Sequence, residues 1–474
     1  MRLAARQTIG TDDHRPLPLL NARVLSMRTV PDTSCVAPRV CGHGTREQGE
    51  RMVSAKQASG SRGKVNGLRS IQAELVALYK DIHAHPELSM HEARTAGLAA
   101  NRLSAAGFDV TTGVGKTGVV GVLRNGDGPV VMLRADMDAL PVKEATGLPY
   151  ASTVTTTTDD GKIAPVAHAC GHDMHVACLV GAATLLAQAR DTWRGTLLAV
   201  FQPAEETAQG AQAMIDDGLL TRFPKPDVVL GQHVMVGAAG DIGWRAGVIT
   251  SAADSMQIQL FGRGAHGSMP QASIDPVVMA AATVLRLQTI VAREVSPTDA
   301  AVLTVGALQA GTKENVIPDD AIIKLNVRTF DEGVRARVLA AIKRIVTAEA
   351  EASGAPTPPE FTALDRYTPV TNDAKATERV VGAFREAFTD AHVVETPPTS
   401  ASEDFGLFGA AWGAPSVFWF IGCTDPDRYA KAKAAGTLDD IPTNHNPGFA
   451  PVIHPTLETG VTALVTAVRA WLAP

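Results

Sequence analysis

Cys170 and His172 lie in the run His168-Ala169-Cys170-Gly171-His172-Asp173, a thiol and an imidazole separated by a single residue. Further along stand two adjacent carboxylates, Glu205-Glu206, then His233, and far downstream His445. Cysteine, histidine and glutamate are the side chains that bind zinc-like metals. A turn into a helix can aim the thiol and the imidazole at one ion, and the helix N-terminus favours the thiolate. Two other roles stay open for the pair: a small buried thiol beside a capping histidine, or a cysteine nucleophile with a histidine base. Glu205-Glu206 weigh toward metal. They follow an apolar strand ending Phe201-Gln202-Pro203, where strands of an α/β sheet discharge into a crevice. Two acids in such a setting are costly unless a cation neutralises at least one. One can then ligate metal while its neighbour serves as general base on a water molecule.

His233 comes after the next apolar stretch and is a further ligand candidate, with a hydrogen-bonded core histidine as the alternative. His445 sits among turn formers, Thr443-Asn444-His445-Asn446-Pro447-Gly448-Phe449. His175, one turn into a helix, and His454, after an apolar pair, are lesser candidates.

Donors so scattered converge only if the fold gathers them. Ile71, Leu75, Leu78 and Ile82 follow helical spacing, and His91–Ala106 predicts a second helix closed by Gly107. Val119–Leu123 and Val130–Leu133 predict strands around Asn125-Gly126-Asp127-Gly128, the second one apolar throughout and so buried. A helix over His172–Gln188, a strand over Thr196–Phe201, a short helix over Ala211–Asp217 and a strand over Val228–Leu230 follow. That alternation implies an α/β fold with a helix-covered, largely parallel sheet. Near Ala253 the texture changes. Ser255–Leu260 alternates polar and apolar residues, and Asp275-Pro276 opens a helix with a good cap and a proline in its first turn. Strands over Ala301–Gly306 and Ala321–Arg328 and a helix from Asp331 complete a small α+β, ferredoxin-like unit with one sheet face bare. The α/β texture resumes with Ala376–Phe388, the strand Ser416–Phe420 and a final helix ending at Trp471. The expected organisation is a catalytic domain over 66–252 and 366–474, with an inserted lid over 253–365.

With 474 residues the chain is long enough for two or more domains. A net charge of -6 with no basic stripe gives no reason to expect nucleic acid. Five irregularly spaced cysteines, an odd number, argue against a disulfide framework and for a reducing compartment. No apolar run is expected to reach the length of a membrane span, and no hydrophobic region follows the basic start Met1–Arg6. The protein is therefore expected to be cytoplasmic, with a small molecule or a second copy of itself as partner. Residues 1–65, rich in Arg, Pro, Ser, Thr and Gly, read as a disordered extension, with Met27 and Met52 as alternative start points.

The ordered set Leu133–Pro141, His168–Asp173, Phe201–Glu206, Gly264–Pro270 and Asn315–Pro318 resembles the aminoacylase-related amidohydrolases. More narrowly it resembles the branch holding hippurate hydrolases and plant auxin–amino acid conjugate hydrolases, over residues 68 to 472. The resemblance implies two divalent metal ions, zinc or manganese first and cobalt or nickel as further candidates. It implies Cys170, His172, Glu206, His233 and His445 as ligands and Glu205 as general base. It further implies a homodimer through the lid, His266 stabilising the oxyanion in the partner subunit's site, and Asn315 and Arg328 holding the substrate. From its position alone Arg328 is equally a solvent-facing strand residue. The wider family carries a His-x-Asp motif where this chain has Asp136-Met137-Asp138. The missing histidine leaves Asp136 doubtful as a ligand, and Asp138 is expected behind the ligands. Asp173 shares that expectation, with a first-turn acid favoured by the helix dipole as its alternative. The implied activity is hydrolysis of N-acyl amino acids. A dipeptidase or carboxypeptidase on the same scaffold, and a non-catalytic metal-binding dimer, are the alternatives.

Overall fold

Val130-Val131-Met132-Leu133 is apolar at every position because both faces of its strand are covered. Val131 and Leu133 enter one hydrophobic core and Met132 another. The neighbouring strands divide their side chains the same way: Leu197, Ala199 and Phe201 to the first core, Leu198 and Val200 to the second. In the computed structural model, which describes residues 65–473, these strands form an eight-stranded sheet. The expected disordered extension, with Met27 and Met52, lies outside the described residues except for Val65.

The sheet runs in the order Asp109–Val114, Gly118–Asn125, Gly195–Gln202, Val130–Asp136, Val228–Ala238, Ser416–Thr424, Ile242–Trp244, Val393–Glu395. Its four central strands, Gly195–Gln202 through Ser416–Thr424, are mutually parallel, and antiparallel pairings appear only toward the edges. Helices Leu68–Ala84, Ala93–Ala105, His172–Gln188, Ala374–Ala387 and Ile453–Leu472 pack on one face. Gly210–Asp216, Leu219–Arg222 and Gly406–Trp412 pack on the other. The helix through the cysteine motif begins at His172, as its pattern predicts. One expectation changes: the strand Val228–Ala238 runs well past Leu230, so His233 sits within it, opposite Phe420, and not after it.

A second sheet carries its own core. Four antiparallel strands, Ala301–Ala310, Asp320–Thr329, Ala252–Phe261 and Glu360–Tyr367 in spatial order, are covered on one face by helices Pro276–Arg293 and Glu332–Ala352. The chain order βαββαβ gives the ferredoxin-like arrangement. Asp320–Thr329 alternates strictly, with Ala321, Ile323, Leu325 and Val327 buried against the helices. Asp275 caps the first helix by accepting from Val277 N and Val278 N, and Asp331 caps the second through Val334 N. The expectation of no membrane-length apolar segment needs correction: Pro276–Arg293 is long and apolar enough to cross a membrane by length and composition. Its Met279, Ala280, Leu287 and Ile290 are buried in the core of this sheet, while Val277, Val278 and Leu285 on its other side are exposed.

Candidate active site

The donors gather at the carboxyl ends of the central parallel strands, where the loops of an α/β sheet enclose a crevice. Cys170 and His172 flank Gly171, whose φ is +89°. A Cβ on Gly171 would fall 2.4 Å from Val234 Cγ2, so the tight turn that converts a Cys-x-His spacing into convergence requires glycine. Glu205 and Glu206 follow the strand Gly195–Gln202 in a turn where Ala204 and Ala208 adopt left-handed φ of +48° and +54°. Such alanines cost about 1–2 kcal/mol each, and hydrogen bonds brace the turn. Ala204 N donates to Glu92 Oε1 (2.8 Å), Glu206 N to Asp138 Oδ2 (3.0 Å), Ala208 N to Glu205 O (2.8 Å) and Tyr367 Oη to the same carbonyl (3.0 Å). His445, also left-handed at +70°, arrives on its loop through a bond from its amide to Ala169 O (2.7 Å). Asn444 beside it donates to Cys170 O and Val234 O.

Hydrogen bonding sets which ring nitrogens are available. His233 Nδ1 faces the carbonyl of Val234 (2.8 Å), which only accepts, so Nε2 carries the lone pair and lies 3.5 Å from Cys170 Sγ. His172 Nδ1 is 3.2 Å from Asp138 Oδ1, while its Nε2 is buried without a partner. Glu206 Oε1 is likewise buried and unpartnered, 3.8 Å from His172 Nε2, and Glu206 Oε2 is 3.3 Å from His445 Nε2. His175 is close by but already engaged: Val234 N donates to its Nε2 (2.8 Å), so its Nδ1–H donates to Asp136 Oδ1 (2.5 Å). Asp136 is engaged too, its Oδ2 accepting from Arg134 (2.7 Å).

The site carries a surplus of negative charge. Burial, then Glu206, Glu205 and Asp136, push the Cys170 thiol well up, so a thiolate here needs a compensating cation. Burial alone would pull the His172 imidazole down, yet Asp136, Asp138 and Glu206 raise it to about 10. The same charge that would hold a proton on Nε2 suits a divalent ion. Buried unpartnered donors and excess carboxylate together fit a metal centre.

Glu205 is set differently. Its carboxylate comes within 4.8 Å of Glu403 and Asp404, and burial with Glu403, Glu206 and Asp404 raises it well above the ordinary range. Behind it Arg134, fully buried, makes five bonds: to Gln202 (2.8 Å), to Asp136, to both oxygens of Glu403 (3.1 and 2.7 Å) and to Asp404 (3.2 Å). None of Arg134, Glu403 or Asp404 stands among the expected site residues. The signal for Arg134 was its charge in the midst of an apolar strand, since buried arginines are paired. Glu403-Asp404 gave no comparable signal.

The remaining expected residues separate. Asp138 lies behind the donors, bonded to His172, Glu206 N and Ser89 Oγ (2.7 Å). Asp173 bonds instead to His83 Nδ1 (2.6 Å) and to Met174 N (2.8 Å). His83 also meets Glu144 (3.0 Å); burial lowers it, but Asp173 and Glu144 outweigh burial and raise it to about 10. A raised histidine stabilises fully below its ordinary 6.5 and loses that contribution as pH climbs through 10. The Tm difference between wild type and His83→Gln should therefore shrink from pH 6.5 to pH 10; a constant difference would refute the pairing.

In the smaller sheet, His266 is exposed and its Nδ1 accepts from Ser268 N (3.1 Å), which leaves the proton of a neutral ring on Nε2. Asn315 adjoins it, accepting from Gly267 N (2.8 Å). Arg328 lies at the opposite end of the strand Asp320–Thr329, roughly 26 Å from Asp320 at about 3.3 Å per residue. Its Nη1 donates to Ser400 O (3.0 Å) and Ser402 Oγ (2.9 Å), and its Nε to Asn326 (2.9 Å).

The chain resembles known proteins in sequence and in fold. The sequence pattern defining Peptidase family M20/M25/M40 matches residues 132–446. N-acetyl-L-cysteine deacetylase of Bacillus subtilis (strain 168) is 36% identical over 76% of this chain and 83% of its own length. Hippurate hydrolase of Campylobacter jejuni is 39% identical over 71% of this chain and 85% of its own. Among solved structures, the Bacillus subtilis YXEP protein, a dinuclear metal-binding peptidase, superposes with a TM-score of 0.66. It is 29% identical, covering 84% of this chain and 98% of that one.

Proposed function

Because the chain belongs to Peptidase family M20/M25/M40, we propose that it is a metal-dependent amidohydrolase cleaving N-acyl amino acids to a carboxylic acid and a free amino acid. The observation that carries this reading is the convergence of buried, unpartnered His172 Nε2 and Glu206 Oε1 beside Cys170, His233 and His445, with the shielded acid Glu205 next to them. Cys170, His172, Glu206, His233 and His445 would hold two divalent ions, zinc or manganese, with cobalt and nickel as further candidates. Bound metal supplies Lewis acidity at the scissile carbonyl. Glu205 takes a proton from the attacking water at its carboxylate and returns it to the leaving nitrogen, so the carboxylate is regenerated. Arg328, with Nε and Nη1 committed, offers Nη2 to the substrate carboxylate.

His266 and Asn315 stand too far along the lid, the unit over 253–365 inserted between 66–252 and 366–474, to share a small substrate with Arg328 of the same chain. They serve a partner subunit instead, His266 donating from Nε2 to the oxyanion and Asn315 touching the substrate. The exposed Val277, Val278 and Leu285, with Val302 and Leu308 on the outer strand Ala301–Ala310, support a homodimer through this unit. Free thiols at Cys170, Cys178 and Cys423 fit a cytoplasmic enzyme.

The test is turnover of a panel of N-acyl amino acids and dipeptides by metal-defined protein, with and without chelator. Acyl amino acids should be preferred, and chelation should abolish turnover until metal is restored. Turnover indifferent to chelation would sink the metal reading and point to Cys170 as nucleophile. Preference for dipeptides would make the chain a peptidase, and inactivity with every ion would leave a metal-binding dimer.

A further inference from the structure

The turn that carries Glu205 and Glu206 is strained at both Ala204 and Ala208, so its geometry depends on what holds it. Glu92, Asp138 and the backbone amides of Ala208, Gln209 and Gly210 restrain it from the large-sheet side. A further restraint is the phenol of Tyr367, which donates to the carbonyl of Glu205 itself (3.0 Å). Tyr367 is the last residue of the strand Glu360–Tyr367 and pairs with Ala253, where the chain passes between the two sheets.

We infer that Tyr367 is a positioning residue for Glu205, holding the 205–206 peptide so that the base carboxylate points at the attacking water while Glu206 faces the metal donors. The inference rests on Glu205 being the base. Two features single out this restraint. Adjacent residues with different tasks share one peptide plane, so rotation of the Glu205 carbonyl misdirects both side chains. The hydroxyl is also separable from everything else: Asp138 additionally bonds His172, and Glu92 is a buried charge bonded to Met90 N and Thr117 as well. The phenol comes from the smaller sheet, as does Arg328, which bonds the Ser400–Ser402 segment leading into Glu403. The surroundings of the base are thus set partly from the lid side.

Tyr367→Phe removes one oxygen and keeps the ring. In metal-replete protein kcat should fall about tenfold or more, as expected when a catalytic group is displaced by a fraction of an ångström. KM should stay within about twofold, because no substrate contact is removed. Tm should stay near wild type while metal affinity falls with the misdirected Glu206, so kcat is read with excess metal; a merely structural role would lower Tm instead. Glu205→Gln is assayed alongside. A dead Glu205→Gln beside a Tyr367→Phe enzyme of normal kcat overturns the inference alone. A rise in KM at constant kcat overturns it as well, since Tyr367 would then act on substrate binding. An active Glu205→Gln overturns the base assignment and this inference with it.

Discussion

Glu205→Gln, loaded with metal, is expected to lose about 10²–10⁴-fold in kcat, the usual contribution of a positioned general base. The amide fills the same space but cannot accept the water's proton. Loss of 10³ corresponds to about 4 kcal/mol of transition-state stabilisation. The environment of Glu205 explains why the residue is suited to the task. Burial and the carboxylates of Glu403, Glu206 and Asp404 raise its affinity for a proton well above that of an ordinary glutamate. A carboxylate so placed takes a proton more readily, and its acid form is held until the leaving nitrogen needs it. Metal content should be unchanged, because the unpartnered donor atoms belong to His172 and Glu206. Steady-state kinetics with elemental analysis decides the matter: near-normal kcat at full occupancy would remove Glu205 from its role.

Arg134→Met is expected to cost about 3–5 kcal/mol, the range for removing one partner from a buried ionic cluster. That is a large share of the 5–15 kcal/mol typical of a folded domain. Arg134 is buried and its guanidinium satisfies Asp136, Glu403, Asp404 and Gln202 together. Even with the arginine present, burial and Glu403 leave Asp404 raised to about 8. Without it the carboxylates are buried with too little positive charge, so their folded-state pKa values rise further. The sign of the pH effect follows: the loss is greatest at neutral pH and is relieved as pH falls and the acids take up protons. Adding Glu403→Gln and Asp404→Asn should recover part of the loss, because the uncompensated charge goes with them. Urea unfolding of the three proteins reads this out, and an Arg134→Met midpoint equal to wild type would refute it.

Much of the fold was legible from local pattern. Apolar runs such as Val130–Leu133 predicted strands covered on both faces, and Asp275-Pro276 predicted a capped helix start. Where the pattern was mixed it misled. The strand through His233 continues into Gln232-His233-Val234, because pairing with Ser416–Thr424 outweighs a polar stretch.

By itself the sequence determined the chemistry on offer: a Cys-x-His pair, two adjacent acids after a strand, and histidines to complete the set. Residue type and short spacing carry that information, since ligand softness and turn geometry are local. The tertiary structure decided which atoms are free to act. His175 and Asp136 stand among the donors yet are consumed by Val234 N and Arg134. His172 Nε2 and Glu206 Oε1 are left without partners. It also brought Glu403, Asp404 and Tyr367 around Glu205 from distant parts of the chain. Hydrogen-bond satisfaction and burial are properties of packed neighbours far apart in sequence, and no spacing rule encodes them.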